Sequence, residues 1–345
     1  MTGRIGLIVG VGSIGKRHAR VMAERYERLL VVDIDSKARD WAASECDTEI
    51  SCVATLDELA DLIKSRAQDV TAVIANWGPS HFSVFEQLVS FGVKRVFCEK
   101  PVATSLEQLA VMRRRCVDHN VALTAGLHLR YRGIADFVNS HSVKHLGGLP
   151  TSVIVHGGAR CLATSGSHWL DLTISIFGQA PESTFATLYG SNINPRSAGL
   201  EYWAGSATWH FSKQRHLTIT YDNTSSVHET VALYSPTGIT EIDSDFQVRM
   251  FSRDPKELAA DTRVTRVGAV LRDTPIAEFI PDFSEVLSIQ LDELEGVRSP
   301  LYGRDAVIDS ATALVAAFES SRLGARVSFP PSPGVISEGL EWNIS

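Results

Sequence analysis

A chain of 345 residues is longer than one hydrophobic core ordinarily serves, so two domains are expected. Hydrophobic residues at 44%, charged residues at 21% and a net charge of -7 describe a soluble globular protein with no basic footprint for nucleic acid. No apolar run approaches the ~20 residues that span a bilayer or forms a signal peptide. The five cysteines (Cys46, Cys52, Cys98, Cys116, Cys161) lack metal-ligand spacing, so a cytoplasmic protein with reduced thiols and no metal site is expected.

In chain order, Arg4-Ile5-Gly6-Leu7-Ile8-Val9 reads as a buried parallel strand, and residues 13–26 have helical composition. A second apolar run ends at Val31-Val32-Asp33. Helix is then expected at 36–45, strand at 49–53, helix at 56–66, strand at 69–75, helix at 80–91, strand at 94–98, helix at 105–118 and strand at 121–125. This alternation is that of a parallel, doubly wound sheet. The first domain therefore covers 1–125 and the second 126–345. Beyond the boundary, 131–140 and 167–177 read as helices and 151–157 as a strand. Runs rich in Thr, Val, Tyr and Trp at 184–189, 207–211, 216–221 and 229–234 alternate as antiparallel strands do. Helices at 283–295 and 304–323 and a strand at 326–329 follow, while 253–281 reads as a long loop.

Gly10-Val11-Gly12-Ser13-Ile14-Gly15 lies between the first strand and the first helix, and Asp33 ends the next strand about twenty residues on, the arrangement of a dinucleotide-binding fingerprint. Gly10 permits the tight turn, Gly12 lets backbone approach a pyrophosphate, and Gly15 allows close helix–strand packing. The helix N-terminus at Ser13 and Ile14 offers N–H groups to the phosphates. A carboxylate at Asp33 accepts hydrogen bonds from the adenosine ribose and repels a 2′-phosphate, and Ile34 brings no cation; NAD is therefore favoured, with Lys37 and Arg39 keeping NADP as the alternative.

Loops at the carboxyl ends of parallel strands line the cofactor crevice. Asn76-Trp77-Gly78-Pro79-Ser80-His81 follows the 69–75 strand, so Asn76 and His81 are expected to face the dinucleotide; Ser80 serves either there or as a helix cap. Glu99-Lys100-Pro101 follows the next strand, where the Lys100 ammonium can sit against a substrate oxygen beside the nicotinamide. An exposed lysine beside a turn proline is the competing reading.

With these segments at this spacing the chain resembles the Gfo/Idh/MocA family of oxidoreductases. Further similarities are His18 in the first helix, residues 76–81 against the family's T-P-N-x-x-H region, Ala125-Gly126-Leu127-His128-Leu129-Arg130-Tyr131 against G-x-x-x-R-[FY], and Gly166-Ser167-His168-Trp169-Leu170-Asp171 against its histidine segment. The resemblance implies an N-terminal Rossmann domain and a C-terminal α/β domain with a large, mainly antiparallel open sheet that mediates homodimer or homotetramer contacts. It implies that Lys100 is the catalytic lysine, Glu99 a cofactor neighbour and His168 the general acid/base, with Asp171 orienting or structural. Thr164 stands where the family often carries an aspartate, which puts the usual substrate-hydroxyl contact in doubt. Arg130, with Arg132 and Tyr131 beside it, either meets an anionic substrate or serves the surface and helix ends. Tyr202, Trp203, Trp209 and Tyr221 either stack on a sugar or belong to core or subunit interface.

The implied activity is NAD-dependent interconversion of a secondary alcohol and a ketone on a sugar, nucleotide sugar or cyclitol. The alternatives are an NAD-recycling glycosidase of the same family and a non-catalytic dinucleotide-binding regulator.

Overall fold

The computed structural model describes residues 3–158, 160–191, 201–222, 224–243, 247–253, 271–276, 282–301, 303–336 and 339–344. It contains two compact units. One comprises Met1–His128, Pro281–Val315 and Ile336–Ser345; the other comprises Leu129–Ile280 and Ala316–Val335.

In the first unit, β1 (Ile5–Val9), β2 (Arg28–Val32), β3 (Glu49–Val53), β4 (Val70–Ile74), β5 (Arg95–Cys98) and β6 (Ala122–Ala125) form one parallel sheet. Its order is β3-β2-β1-β4-β5-β6, so the topological switch lies between β1 and β4, where ligands bind in such sheets. Every residue of β1 and β4 is buried, as near-continuous apolar strands covered on both faces require. The connecting helices are α1 (Ser13–Arg25), α2 (Ser36–Glu45), α3 (Ala60–Arg66), α4 (His81–Ser90) and α5 (Leu106–Asp118). The helix expected at 56–66 is divided into a 3₁₀ turn, Leu56–Leu59, and α3. At its start the Thr55 amide and hydroxyl both donate to Glu58 Oε1, at 2.9 and 3.0 Å.

The core of this unit joins Ile8, Val31, Val73 and Phe97 to Ala19, Met22 and Tyr26. The helix Phe283–Leu294 belongs to the same core through Leu287, Leu291 and Leu294, whose spacing puts them on one helical face. Gln290 Nε2 donates to the Ala125 carbonyl at 2.8 Å, and Arg25 pairs with Asp292 at 2.5 Å. The first unit thus includes this helix as well as the residues before 126.

In the second unit, α6 (Ile134–His145) and α7 (Ser167–Phe177) accompany a sheet of nine described strands. They are β7 (Ser152–Gly158), β8 (Ser183–Ser191), β9 (Tyr202–His210), β10 (His216–Asp222), β11 (Thr230–Ser235), β12 (Gly238–Ile242), β13 (Val248–Arg253), β14 (Leu271–Ile276) and β15 (Val327–Ser328), in the order β14-β13-β12-β11-β7-β10-β9-β8-β15. The β7–β10 pair is parallel and the other described pairs are antiparallel. The sheet is thus large and mainly antiparallel, as expected. Strands β12 and β13 are not among the expected strands, because each alternates clearly over only three residues, Thr240-Glu241-Ile242 and Val248-Arg249-Met250, with the charged residue exposed between two buried ones. Strand β14 lies inside the stretch expected to be a loop; residues 254–270 and 277–281 of that stretch lie outside the described residues.

One face of this sheet is core. Trp209 and Tyr221 are essentially inaccessible there, beside Leu217 and Ile219. Those two aromatics therefore pack inward, and sugar stacking or subunit contact is not their role. Trp203 makes an edge-on ring contact with Phe318, centroids 5.7 Å apart. The helix Arg304–Leu323 meets β8 through Ser320 and Ser321, whose hydroxyls accept from the Ala186 and Leu188 amides at 3.1 and 2.8 Å. Among the described residues no helix is long and apolar enough to cross a membrane.

Candidate functional site

The three fingerprint glycines meet three different demands. Gly10 has φ +93°, and a Cβ there would lie 2.4 Å from the Asn76 Cα. A Cβ on Gly15 would lie 2.0 Å from the Gly10 carbonyl oxygen. A Cβ on Gly12 would meet nothing within 4 Å, so the packing of the fold itself does not require a glycine there. The N-terminus of α1, at Ser13 and Ile14, has no side-chain cap and no acidic residue in its first turn. An open glycine and an uncapped, acid-free helix start fit the pyrophosphate of a dinucleotide.

Asp33 stands at the tip of β2. Its Oδ2 accepts from the Val11 amide at 2.6 Å and its Oδ1 from the Asp35 amide at 2.9 Å, which fixes the carboxylate against the glycine loop. Ile34 beside it is 89% exposed. Arg39 directs Nη1 to the main-chain carbonyls of Asp33 and Ile34, at 2.6 and 3.2 Å. The arginine that kept NADP in view thus braces the turn.

After β4, Asn76 Nδ2 donates to Ser80 Oγ at 2.8 Å, and that hydroxyl donates to the Trp77 carbonyl at 2.7 Å. Ser80 therefore closes the turn and does not cap α4. Asn76 Oδ1 is buried with no hydrogen-bond partner among the described residues, an acceptor that suits a cofactor amide. His81 corrects its expectation. The ring is 1% exposed, with Nδ1 2.8 Å from the Pro101 carbonyl and Nε2 3.1 Å from the Asn76 carbonyl. Burial pushes its pKa down, so the ring is neutral and donates from one nitrogen at a time. It ties the turn after β4 to the turn after β5 from beneath.

Glu99 is likewise buried, its Oε1 2.7 Å from His18 Nε2. Burial pushes the carboxyl up, but the hydrogen bond and charge of His18, with Lys100 beside it, outweigh that and hold it below the ordinary value. A Cβ on Gly126 would lie 2.4 Å from Glu99 Oε2, so this glycine gives the carboxylate its space. His18 and Gly126 entered the sequence reading only as points of resemblance; what each does is a matter of contacts between segments distant in sequence. Lys100 follows, half-buried, with a cis bond to Pro101.

In the second unit, the Thr164, Ser165 and Gly166 amides all converge on the Cys161 carbonyl at 3.2, 2.9 and 3.4 Å, forming a π turn over Leu162–Gly166. Thr164 Oγ1 also donates to that carbonyl at 3.3 Å, and Ser167 Oγ donates to the Thr164 carbonyl at 2.6 Å. The turn delivers half-buried His168 as the second residue of α7. One turn on, Asp171 is fully buried and receives Arg130 Nη2 at 2.9 Å and Nε at 3.3 Å. Arg130 Nη2 also donates to the Asp171 carbonyl at 3.1 Å, and its side chain is 9% exposed. Arg130 thus serves the inside of the fold, in place of either expected role, contact with an anionic substrate or service at the surface or a helix end. Tyr131 is buried as well.

Comparison with known proteins matches residues 5–127 to a family model described as "Oxidoreductase family, NAD-binding Rossmann fold", the GFO_IDH_MocA model. The chain is 34% identical over 108 residues to an inositol 2-dehydrogenase/D-chiro-inositol 3-dehydrogenase of Shouchella clausii, covering 31% of this chain and 30% of that one. It is 32% identical over 161 residues to inositol 2-dehydrogenase 3 of Saccharopolyspora erythraea, covering 45% and 44%. The matches to these two relatives thus span less than half of their length. A crystal structure of the WlbA dehydrogenase from Bordetella pertussis, in complex with NADH and UDP-GlcNAcA, superposes with TM-score 0.69 over 95% of this chain and 99% of that one at 18% identity. Residues 5–127 thus belong, as an NAD-binding Rossmann domain, to the Gfo/Idh/MocA family of oxidoreductases.

Proposed function

We propose that the chain is an NAD-dependent oxidoreductase interconverting a secondary alcohol and a ketone on a sugar, nucleotide sugar or cyclitol. The observation that carries this reading is the Asp33 carboxylate, locked to the Val11 amide beside an open Gly12. That arrangement suits ribose hydroxyls and disfavours a 2′-phosphate. Gly10, Gly12, Ser13, Ile14, Gly15, Asp33 and Asn76 would hold the dinucleotide, whose nicotinamide ring supplies the acceptor or donor of hydride. Glu99 and His81 act from below, fixing the turns. The Lys100 ammonium polarises the substrate oxygen, stabilising negative charge as it develops. His168 exchanges the proton of that oxygen, a task suited to an imidazole near neutral pH. The inositol dehydrogenases among the relatives, and the nucleotide sugar bound to the WlbA dehydrogenase, support a polyhydroxylated substrate.

Assembly into a homodimer or homotetramer through the outer face of the nine-stranded sheet is part of the same reading. Phe185, Thr208, Thr218, Ile154 and Ala232 stand side by side across that face, with Phe185 and Ile154 exposed. Calorimetry with NAD and NADP, followed by NADH formation over a panel of sugars, cyclitols and nucleotide sugars, tests the chemistry, and sedimentation tests assembly. Tighter binding of NADP refutes the cofactor assignment. Product formed without net NADH refutes a dehydrogenase in favour of the redox-neutral chemistry. A monomer at micromolar concentration refutes the assembly.

A further inference from the structure

Residues 339–344 lie along the end of the segment between β5 and α5, which contains Lys100, and along the first turn of α5. The Gly339 amide donates to Glu107 Oε2 at 3.1 Å. Gln108 Nε2 donates to Glu341 Oε1 at 2.8 Å, and the Trp342 amide donates to the Thr104 carbonyl at 3.0 Å. Gln108 passes the restraint inward, its Oε1 accepting from the Thr104 amide and hydroxyl at 3.0 and 3.2 Å. Ile344 is fully buried. Its carbonyl oxygen lies 2.9 Å, and Pro101 Cδ 3.2 Å, from the point where a Cβ of Gly78 would stand. Ile344 is therefore seated where the turn after β4 meets the turn after β5.

We propose that residues 339–344 are a strap that positions these two turns, and hence Asn76 and Lys100, with Ile344 as its positioning residue. The proposal rests on the reading of those turns as part of the dinucleotide site. Turns at strand ends are ordinarily the first parts of a sheet to open. Here His81 couples the pair from beneath, through the Pro101 and Asn76 carbonyls. The strap closes them from the other end of the chain. Because His81 links them, losing the strap loosens both turns together and leaves the strands under them intact.

The test compares the full chain with Ile344→Ala, Ile344→Val and a chain ended before Gly339. It uses hydrogen exchange without ligand and NAD binding by calorimetry. Exchange at residues 76–81 and 99–105 should rise ~10-fold or more in Ile344→Ala and in the shortened chain, with β1 and β2 unchanged. NAD affinity should fall ~10-fold, and Ile344→Val should restore most of both. Unchanged exchange at the two turns overturns the proposal, and so does an equal rise across β1 and β2, which marks a general loss of stability. If the full chain binds no NAD while the local exchange pattern appears as stated, the cofactor reading fails and the strap stands.

Discussion

Arg130 and Asp171 form a buried ion pair, closed by a 2.9 Å contact between Nη2 and Oδ1, that clamps the start of the second unit to the helix bearing His168. The arginine also holds the Asp171 carbonyl, so the helix is gripped by main chain and side chain together. Removing one partner leaves a desolvated charge without its counterpart. Asp171→Ala or Arg130→Ala should therefore destabilise the chain by about 3–5 kcal/mol. Replacing both by apolar residues of similar volume should cost less than either single change. Denaturant unfolding of the four proteins checks this, and a double variant worse than both singles would contradict it.

The glycine loop separates folding from binding at single-residue resolution. Gly12→Ala meets open space at an ordinary backbone conformation, φ -70°. Its unfolding free energy should stay within about 0.5 kcal/mol of the parent. NAD affinity should nevertheless fall roughly 10- to 100-fold, since the methyl group stands where the pyrophosphate approaches. Gly15→Ala should do the reverse first, destabilising the fold before any ligand is added, because its Cβ meets the Gly10 carbonyl. Equal NAD affinity in Gly12→Ala and parent would displace the pyrophosphate from this loop.

Catalysis should depend on Lys100 and His168 in distinguishable ways. Lys100→Ala removes a charge that acts mainly in the transition state, so kcat should fall by ~10²-fold or more while NAD binding persists. His168→Ala should cost ~10²–10⁴-fold and flatten the pH profile around neutrality. The double variant should be little worse than the poorer single one if both act on one oxygen. Near-normal turnover in Lys100→Ala excludes this mechanism.

His81 supplies a pH dependence with a definite sign. Its imidazole is held below the ordinary value of 6.5 by burial, so the folded chain resists the proton that the unfolded chain accepts. Stability from the neutral ring is fully present above that pH and is lost as pH falls through 6.5 toward the depressed folded value. Thermal midpoints of the parent and His81→Gln, measured from about pH 8 to about pH 5, should differ most at the alkaline end. A gap that widens on acidification would mean that the ring is charged in the fold.

Sequence periodicity carried the first sheet well, because its strands are short apolar runs and its loops bear residues dictated by backbone geometry. It carried β12 and β13 poorly, since each alternates clearly over only three residues, around Glu241 and around Arg249. At the candidate site, the turn at Gly10, the close packing at Gly15 and the place of Asp33 beside the glycine loop were legible from their spacing. The opposed roles of Asn76 and His81 were not: both are polar residues of one turn, and only packing puts Asn76 at the rim and His81 underneath. Arg130 was misread for a related reason. A guanidinium is equally able to grip a ligand or an aspartate, and Asp171 is 41 residues away.

The placement of Phe283–Leu294 in the first unit bears on how the chain is made. Gln290 reaches the Ala125 carbonyl across 165 positions of sequence, and Leu287 and Leu291 fill a core begun by Ile8. A ribosome must therefore reach Leu294 before the first sheet has its full cover. Until then the apolar surface beside Met22 and Phe97 stays wet. Contacts of such long range are formed late and slowly, and a nascent chain waiting for them is open to aggregation and to chaperone capture. A fragment halted at residue 128 would present that same surface permanently.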